Sequence, residues 1–212
     1  MLRLFLKLVF HLSVLLGFSV SVAGSYEDFF VAIQKDDARA VEQLLARGFD
    51  PNTRDPKGQP GLTLALQQQA LAAAAKIAAH PGLEVDARNE AGETALMMAA
   101  LKGELAWVER LLARGAAVRF PGWSPILYAA TGPETRTVAL LLDRGAPIDA
   151  EAPNRTTPLM MAARYGTESS VDLLLARGAD PKRRNDLGMT AADFARSAGR
   201  EALARRLEAL LR

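Results

Sequence analysis

Apolar residues recur along the chain at intervals of three and four, which is the period of an amphipathic helix. The clearest runs are Val108-x-x-Leu111-Leu112, Val138-x-x-Leu141-Leu142 and Val171-x-x-Leu174-Leu175. Positions i, i+3 and i+4 share one face of an α-helix, so each run predicts a short helix with one buried face. An Arg-Gly pair follows each run after one further residue. Because glycine readily adopts the left-handed conformation that ends helices, we expect each helix to stop there.

The helix-ending glycines are regularly spaced. They are Gly48, Gly82, Gly115, Gly145 and Gly178. The intervals between them are 34, 33, 30 and 33 residues. A second marker is Thr or Ser followed two residues later by Leu or Ile. It begins at positions 94, 124 and 157, and at position 190 Ala replaces the Leu or Ile. Its intervals are 30, 33 and 33 residues, so two independent markers indicate one repeated unit. In Ser124-Pro125 and Thr157-Pro158 a hydroxyl stands just before a proline, which predicts that both hydroxyls cap helices.

This unit resembles the ankyrin repeat, in which a β-turn and two antiparallel helices occupy about 33 residues. The family pattern Gly-x-Thr-Pro-Leu-x-x-Ala-Ala is matched by residues 92–100, 123–130 and 156–163. The loop after the second helix is matched by Gly-Phe-Asp-Pro at 48–51 and Gly-Ala-Asp-Pro at 178–181. The resemblance covers about residues 25–212 and implies an all-α solenoid whose stacked units share a core.

We expect about six helix-turn-helix units joined by short β-turn fingers. Their approximate bounds are 25–55, 56–88, 89–118, 119–151, 152–184 and 185–212. Four loops have 10 residues from the helix-ending glycine to the next turn position, but only 7 separate Gly115 from Gly122. This three-residue deletion predicts a truncated third finger, replaced by the segment from Arg119 to Trp123.

Residues 1–23 have the features of a cleavable secretory signal peptide. Arg3 and Lys7 precede an apolar stretch of about 13 residues that leads to Ser21-Val22-Ala23, with small residues at both recognition positions for cleavage. The stretch is shorter than the ~20 apolar residues that span a bilayer, although an uncleaved inner-membrane anchor is the alternative. We expect cleavage after Ala23, export to the periplasm and a mature repeat domain over residues 24–212.

Charge and composition exclude several classes of function. The chain has 26 Lys and Arg against 24 Asp and Glu, and loss of Arg3 and Lys7 with the signal leaves 24 of each. A formal charge of zero does not indicate a nucleic-acid-binding protein. Cysteine is absent, which excludes disulfides, thiolate metal sites and a cysteine nucleophile.

Few residues could support catalysis. His80 is the one histidine after residue 23, and it precedes Pro81-Gly82 at a predicted helix end. Asp36 and Asp37 lie in the predicted turn of the first unit, where a solvated turn is the simpler interpretation. We therefore predict no catalytic, cofactor or metal site, and keep a hydrolase that uses carboxylates alone as the least favoured alternative.

The resemblance implies that partners dock on the finger tips and on the exposed residues of the first helices. At those positions we select as protein-binding residues Leu101, Phe120, Trp123, Arg164, Tyr165 and Met189. Aromatic anchors dominate the energy of many interfaces. A second interpretation stays open: Phe120 and Trp123 would cover the core where the finger is short, and Leu101 and Tyr165 would pack between repeats.

Four large residues form a stripe at equivalent positions of the first helices. They are Met98, Tyr128, Met161 and Phe194. Such units normally carry a large apolar residue at this position, so we assign the stripe to the core.

The sequence thus predicts a non-catalytic, monomeric protein-interaction module in the periplasm, without a cofactor. The resemblance to small secreted bacterial ankyrin repeat proteins implies a periplasmic enzyme such as catalase as the partner. The rival hypothesis is a scaffold tethered to the inner membrane, which would touch the membrane only through an uncleaved N-terminal segment.

Overall fold

The computed structural model describes residues 24–212, and this part of the chain is helical. An isolated β-bridge joins Arg54 to Pro60. The predicted all-α repeat fold is confirmed. The predicted signal peptide, residues 1–23, lies outside the described residues, so its cleavage stays a prediction. Within the described part, no helix has both the length and the apolar character needed to cross a membrane.

The chain divides into two compact units, the first of which ends at Leu83. This unit contains α1, which covers residues 24–34, α2 (Ala38–Ala46), α3 (Gly61–Gln67) and α4 (Leu71–Ala79). Helix α4 packs against both α2 and α3. The side chains of Phe29, Ile33, Leu66 and Ile77 are fully buried and form its core.

The second compact unit spans Glu84–Arg212. Its helices are α5 (Ala95–Lys102), α6 (Leu105–Ala113), α7 (Pro125–Thr131), α8 (Thr135–Asp143), α9 (Pro158–Arg164), α10 (Glu168–Ala176), α11 (Ala191–Ser197) and α12 (Glu201–Ala209). Each odd-numbered helix packs on the helix that follows it, and α5, α7, α9 and α11 also pack on one another in chain order. The second helices α6, α8 and α10 make the corresponding contacts. Four helix pairs are therefore stacked in this unit.

The Arg-Gly pairs end helices as predicted. After α6, Gly115 has φ of 87°, a left-handed conformation that a residue with Cβ adopts at a cost. This turn lets the Ala116 N–H donate to the carbonyl of Leu111 at 3.0 Å, which satisfies a carbonyl at the helix end. Equivalent bonds follow α2, α8 and α10.

Hydroxyl groups cap three of the first helices, as the sequence markers indicate. Thr94, Thr157 and Thr190 each accept a hydrogen bond from the backbone N–H three residues later. Ser124 was expected to cap α7 in the same way, and this is wrong. The Leu127 N–H donates instead to the Ser124 carbonyl at 3.0 Å, so the buried Ser124 hydroxyl has no partner among the described residues.

The fingers are short turns, and each contains a backbone hydrogen bond between residues four apart. The donor and acceptor pairs are Asp55 and Gln59, Asn89 and Glu93, Ala152 and Thr156, and Asn185 and Met189, at 2.9 to 3.1 Å. Between residues 116 and 124, all of them described, no such bond forms. The predicted truncation of the third finger is confirmed.

Candidate protein-binding site

An apolar groove opens in the second compact unit beside the truncated finger. It has a volume of about 210 Å³ and is lined by Leu101, Trp123, Leu127, Tyr128, Thr131 and Met161. Helix α7 packs on both α5 and α9, so it brings residues from three helices to one place. We call this feature the α5–α7–α9 groove.

Trp123 lies where a full finger would project from the other loops. Its side chain is 37% exposed, and its ring meets that of Tyr128 edge to face with centroids 6.0 Å apart. The indole therefore covers part of α7 and also presents apolar surface to solvent. Covering exposed apolar surface is favourable in water, which makes Trp123 a candidate contact for a partner.

The Tyr128 hydroxyl is fixed by a hydrogen-bond network at the start of α5. It donates to Glu93 Oε1 at 2.9 Å, while the side-chain amide of Asn89 donates to Glu93 Oε2 at 2.8 Å. The pKa of Tyr128 is raised far above its ordinary value. Burial of the phenol is the largest cause, and the hydrogen bond to the Glu93 carboxylate is the next. The phenol is therefore neutral at physiological pH, and its ring lines the groove.

The structure brings two of the predicted binding residues together. Leu101 and Trp123 both line the α5–α7–α9 groove. Arg164 and Tyr165 are exposed at the end of α9, with the Arg164 guanidinium 5.1 Å from the centre of the Tyr165 ring. They follow the groove residue Met161 by three and four positions, which places them on the same side of the helix.

The remaining two predicted residues lie outside the groove lining. Phe120 is half-buried, with the guanidinium of Arg88 4.3 Å from its ring centre. Met189 is half-buried in the last finger, where its N–H donates to Asn185 Oδ1 at 3.0 Å. These contacts stabilise the loops in which Phe120 and Met189 lie.

The assignment of the whole stripe to the core is wrong for two of its members. Met98 and Phe194 are buried, at 2% and 7% exposure, whereas Tyr128 and Met161 are half-buried and line the groove. Tyr128 lies in α7, which directly follows the shortened loop, and Met161 lies in α9, which packs on α7. The deletion itself was the signal, because it removes the chain that could cover the stripe on the helices nearby.

The residues considered for catalysis have structural roles in the first compact unit. His80 ends α4, and its Nδ1 accepts from the Gly82 N–H at 3.2 Å. Asp37 caps α2 through the Ala40 N–H at 2.9 Å. Asp36 accepts from the Ala73 N–H at 2.8 Å in the first turn of α4, so the two carboxylates cap helices and are more than a solvated turn. The described residues include no group of three or more His, Asp or Glu side chains placed to hold a metal ion.

A larger depression lies in the first compact unit, with a volume of about 530 Å³. Side-chain amides contribute much of its lining, and Gln59 donates to Gln67 across it at 3.1 Å. Amide groups are well solvated by water, so covering them releases little free energy. The α5–α7–α9 groove is the stronger candidate.

A family model that describes three copies of the ankyrin repeat matches the chain twice, at residues 29–121 and 118–185. Similar curated proteins include human SH3 and multiple ankyrin repeat domains protein 2, 32% identical over 164 residues that make up 75% of this chain. The putative palmitoyltransferase ZDHHC13 of Danio rerio is 33% identical over 165 residues, or 77% of this chain. The chain spans only 9% and 21% of the lengths of these two proteins.

A solved structure is similar over most of the chain. It is a chain from the complex of a predatory endopeptidase of Bdellovibrio bacteriovorus with an immunity protein, with a TM-score of 0.72 and 27% identity. The similarity covers 86% of the present chain and 97% of the other.

Proposed function

The chain belongs to the ankyrin repeat family, and we propose that it is a non-catalytic module that binds a protein partner in the α5–α7–α9 groove. Repeats of this family are protein-interaction modules, and the similar solved chain comes from a protein complex. The observation that carries the proposal is the partly exposed Trp123 beside an apolar groove, where the loop is three residues short. A partner that covers this surface removes apolar area from water.

The partner that we propose is an enzyme. The complex that contains the similar solved chain pairs a predatory endopeptidase with an immunity protein, which supports a peptidase as the partner of this chain. Catalase, which the resemblance to secreted repeat proteins implies, is the second candidate. We propose the periplasm as the place of binding, because residues 1–23 have the composition of a secretory signal.

The groove is tested by alanine substitution at Trp123. Tagged protein first recovers the partner from periplasmic extract, and calorimetry then measures the affinity of the purified partner for each variant. Trp123→Ala should weaken binding by about 2–4 kcal/mol, as expected for a central aromatic anchor.

Leu210 gives a matched control, because it is 45% exposed next to the end of α12 and does not line the groove. Leu210→Ala should change the affinity by less than about 0.5 kcal/mol. Equal affinities for the two variants, with circular dichroism showing that both are folded, would place the docking surface elsewhere.

A further inference from the structure

Two cations at one end of the α5–α7–α9 groove have no ion-pair partner among residues 24–212. Lys102 is the last residue of α5 and directly follows the groove residue Leu101. Arg164 is the last residue of α9, one turn after the groove residue Met161. Both side chains are exposed. Helix α7, which packs between them, contains no charged residue.

The last turn of α11 shows the contrasting arrangement within the same unit. Arg196 there is bound to Glu208 and, at 3.4 Å, to Asp193. Its charge is thus balanced by carboxylates of the chain itself. The two helices that flank the groove keep their cations available, whereas the neighbouring helix does not.

Glu93, a carboxylate beside the groove at the start of α5, is already occupied. Glu93 accepts from Tyr128 at 2.9 Å with one oxygen and from Asn89 at 2.8 Å with the other. The carboxylate at the start of α5 is thus satisfied by groups of the chain, whereas Lys102 and Arg164 at the ends of α5 and α9 form no ion pair within residues 24–212.

We propose that the groove receives an extended acidic segment of the partner, with one large apolar side chain in the groove and carboxylates on Lys102 and Arg164. This inference rests on the proposed function, because it names the segment that the binding module would hold. A volume of about 210 Å³ admits one large side chain. Burial of that side chain provides affinity, whereas the cations select for carboxylates, which an arginine can bind with two hydrogen bonds.

The charge preference is tested with three capped pentapeptides. One has a central Phe between Asp and Glu residues, the second has the same Phe between Lys and Arg residues, and the third has Gly at the centre of the acidic sequence. Each is titrated into ¹⁵N-labelled protein while the indole N–H signals of Trp123 and Trp107 are followed by NMR. Trp107 is buried and does not line the groove, so it serves as an internal control.

The acidic Phe peptide should shift the Trp123 signal and leave that of Trp107 in place. Its Kd at low salt should be at least about tenfold lower than that of either other peptide, and this advantage should shrink as salt is added. Reversal of both cations, Lys102→Glu with Arg164→Glu, should transfer the preference to the basic peptide. The same reversal at the exposed Arg205 of α12 is the control and should leave the preference unchanged.

The proposal is overturned if the acidic and basic peptides bind alike, if charge reversal leaves their order unchanged, or if no peptide shifts the Trp123 signal. A natural partner that requires Trp123 but ignores Lys102 and Arg164 would also overturn it, while leaving the proposed function intact. A partner that ignores Trp123 would contradict the proposed function itself.

Discussion

Buried threonines show how one side chain has opposite effects in different hydrogen-bond environments. The Thr190 hydroxyl donates to Asp193 Oδ2 at 2.8 Å and accepts from the Asp193 N–H at 3.4 Å. The backbone N–H of Thr190, aided by this hydroxyl, lowers the pKa of Asp193. Thr137 in α8 is equally buried, but its hydroxyl has no partner in the described part of the chain. A desolvated hydroxyl without a partner costs about 1–3 kcal/mol.

Valine at these two positions should therefore change stability in opposite directions. Thr137→Val removes an unsatisfied hydroxyl with little change of shape and should leave the free energy of unfolding unchanged or raise it by about 1 kcal/mol. Thr190→Val removes a helix cap and should lower it by about 1–2 kcal/mol. Urea unfolding followed by circular dichroism measures both. Equal losses for the two variants would contradict this account.

At the scale of elements, Arg200 links the last two helix pairs. Its Nη1 donates to the carbonyls of Ala162 and Ala163 in the last turn of α9, both at 3.1 Å. It also donates to the carbonyl of Gly166, just after this helix, at 2.9 Å. Helix ends leave carbonyls without intrahelical partners, so this guanidinium acts as a cap from another repeat. Arg200→Ala should lower the free energy of unfolding by about 1.5–3 kcal/mol, the range for hydrogen bonds to a charged group. In the same unfolding measurement, Arg205→Ala on the exposed face of α12 should cost less than about 0.5 kcal/mol. If the free energy of unfolding falls no further for Arg200→Ala than for Arg205→Ala, the capping bonds do not contribute to stability.

Most elements were predictable because each is specified by neighbouring residues. The Leu-Leu-x-Arg-Gly ending and the Thr start act within one turn, so spacing alone placed the helices and the truncated finger. The Ser124 error arose because a hydroxyl and a carbonyl of the same residue compete for one N–H, which sequence does not resolve. The sequence did not predict the groove itself, although two of the selected binding residues, Leu101 and Trp123, line it. The short loop before α7 signals a less covered surface there, but which residues of the stripe are exposed depends on packing between repeats. Arg200 acts over 34 residues or more, so its role does not follow from local pattern either.

At the scale of the whole molecule, the distribution of charge bears on the proposed export. Residues 1–23 hold two bases and no acid, so the excess of positive charge resides in the proposed signal. Intact mass spectrometry of protein recovered from the periplasm should give a chain that begins at Gly24 or Ser25. Replacement of Ala23 by a large residue should block cleavage and retain the protein in the membrane fraction, because the cleavage site requires small residues. Recovery of the full chain from wild-type cells would favour the membrane-tethered scaffold instead.

The three residues missing from the third loop suggest how such proteins acquire selectivity. Loops accept deletions far more readily than packed helices do, because they bury little. Shortening one connection opens a recess without touching any residue of the hydrophobic interior. A new binding surface can thus arise by deletion of loop residues. Different loop lengths on one scaffold would then fit different partners with little change in the free energy of unfolding.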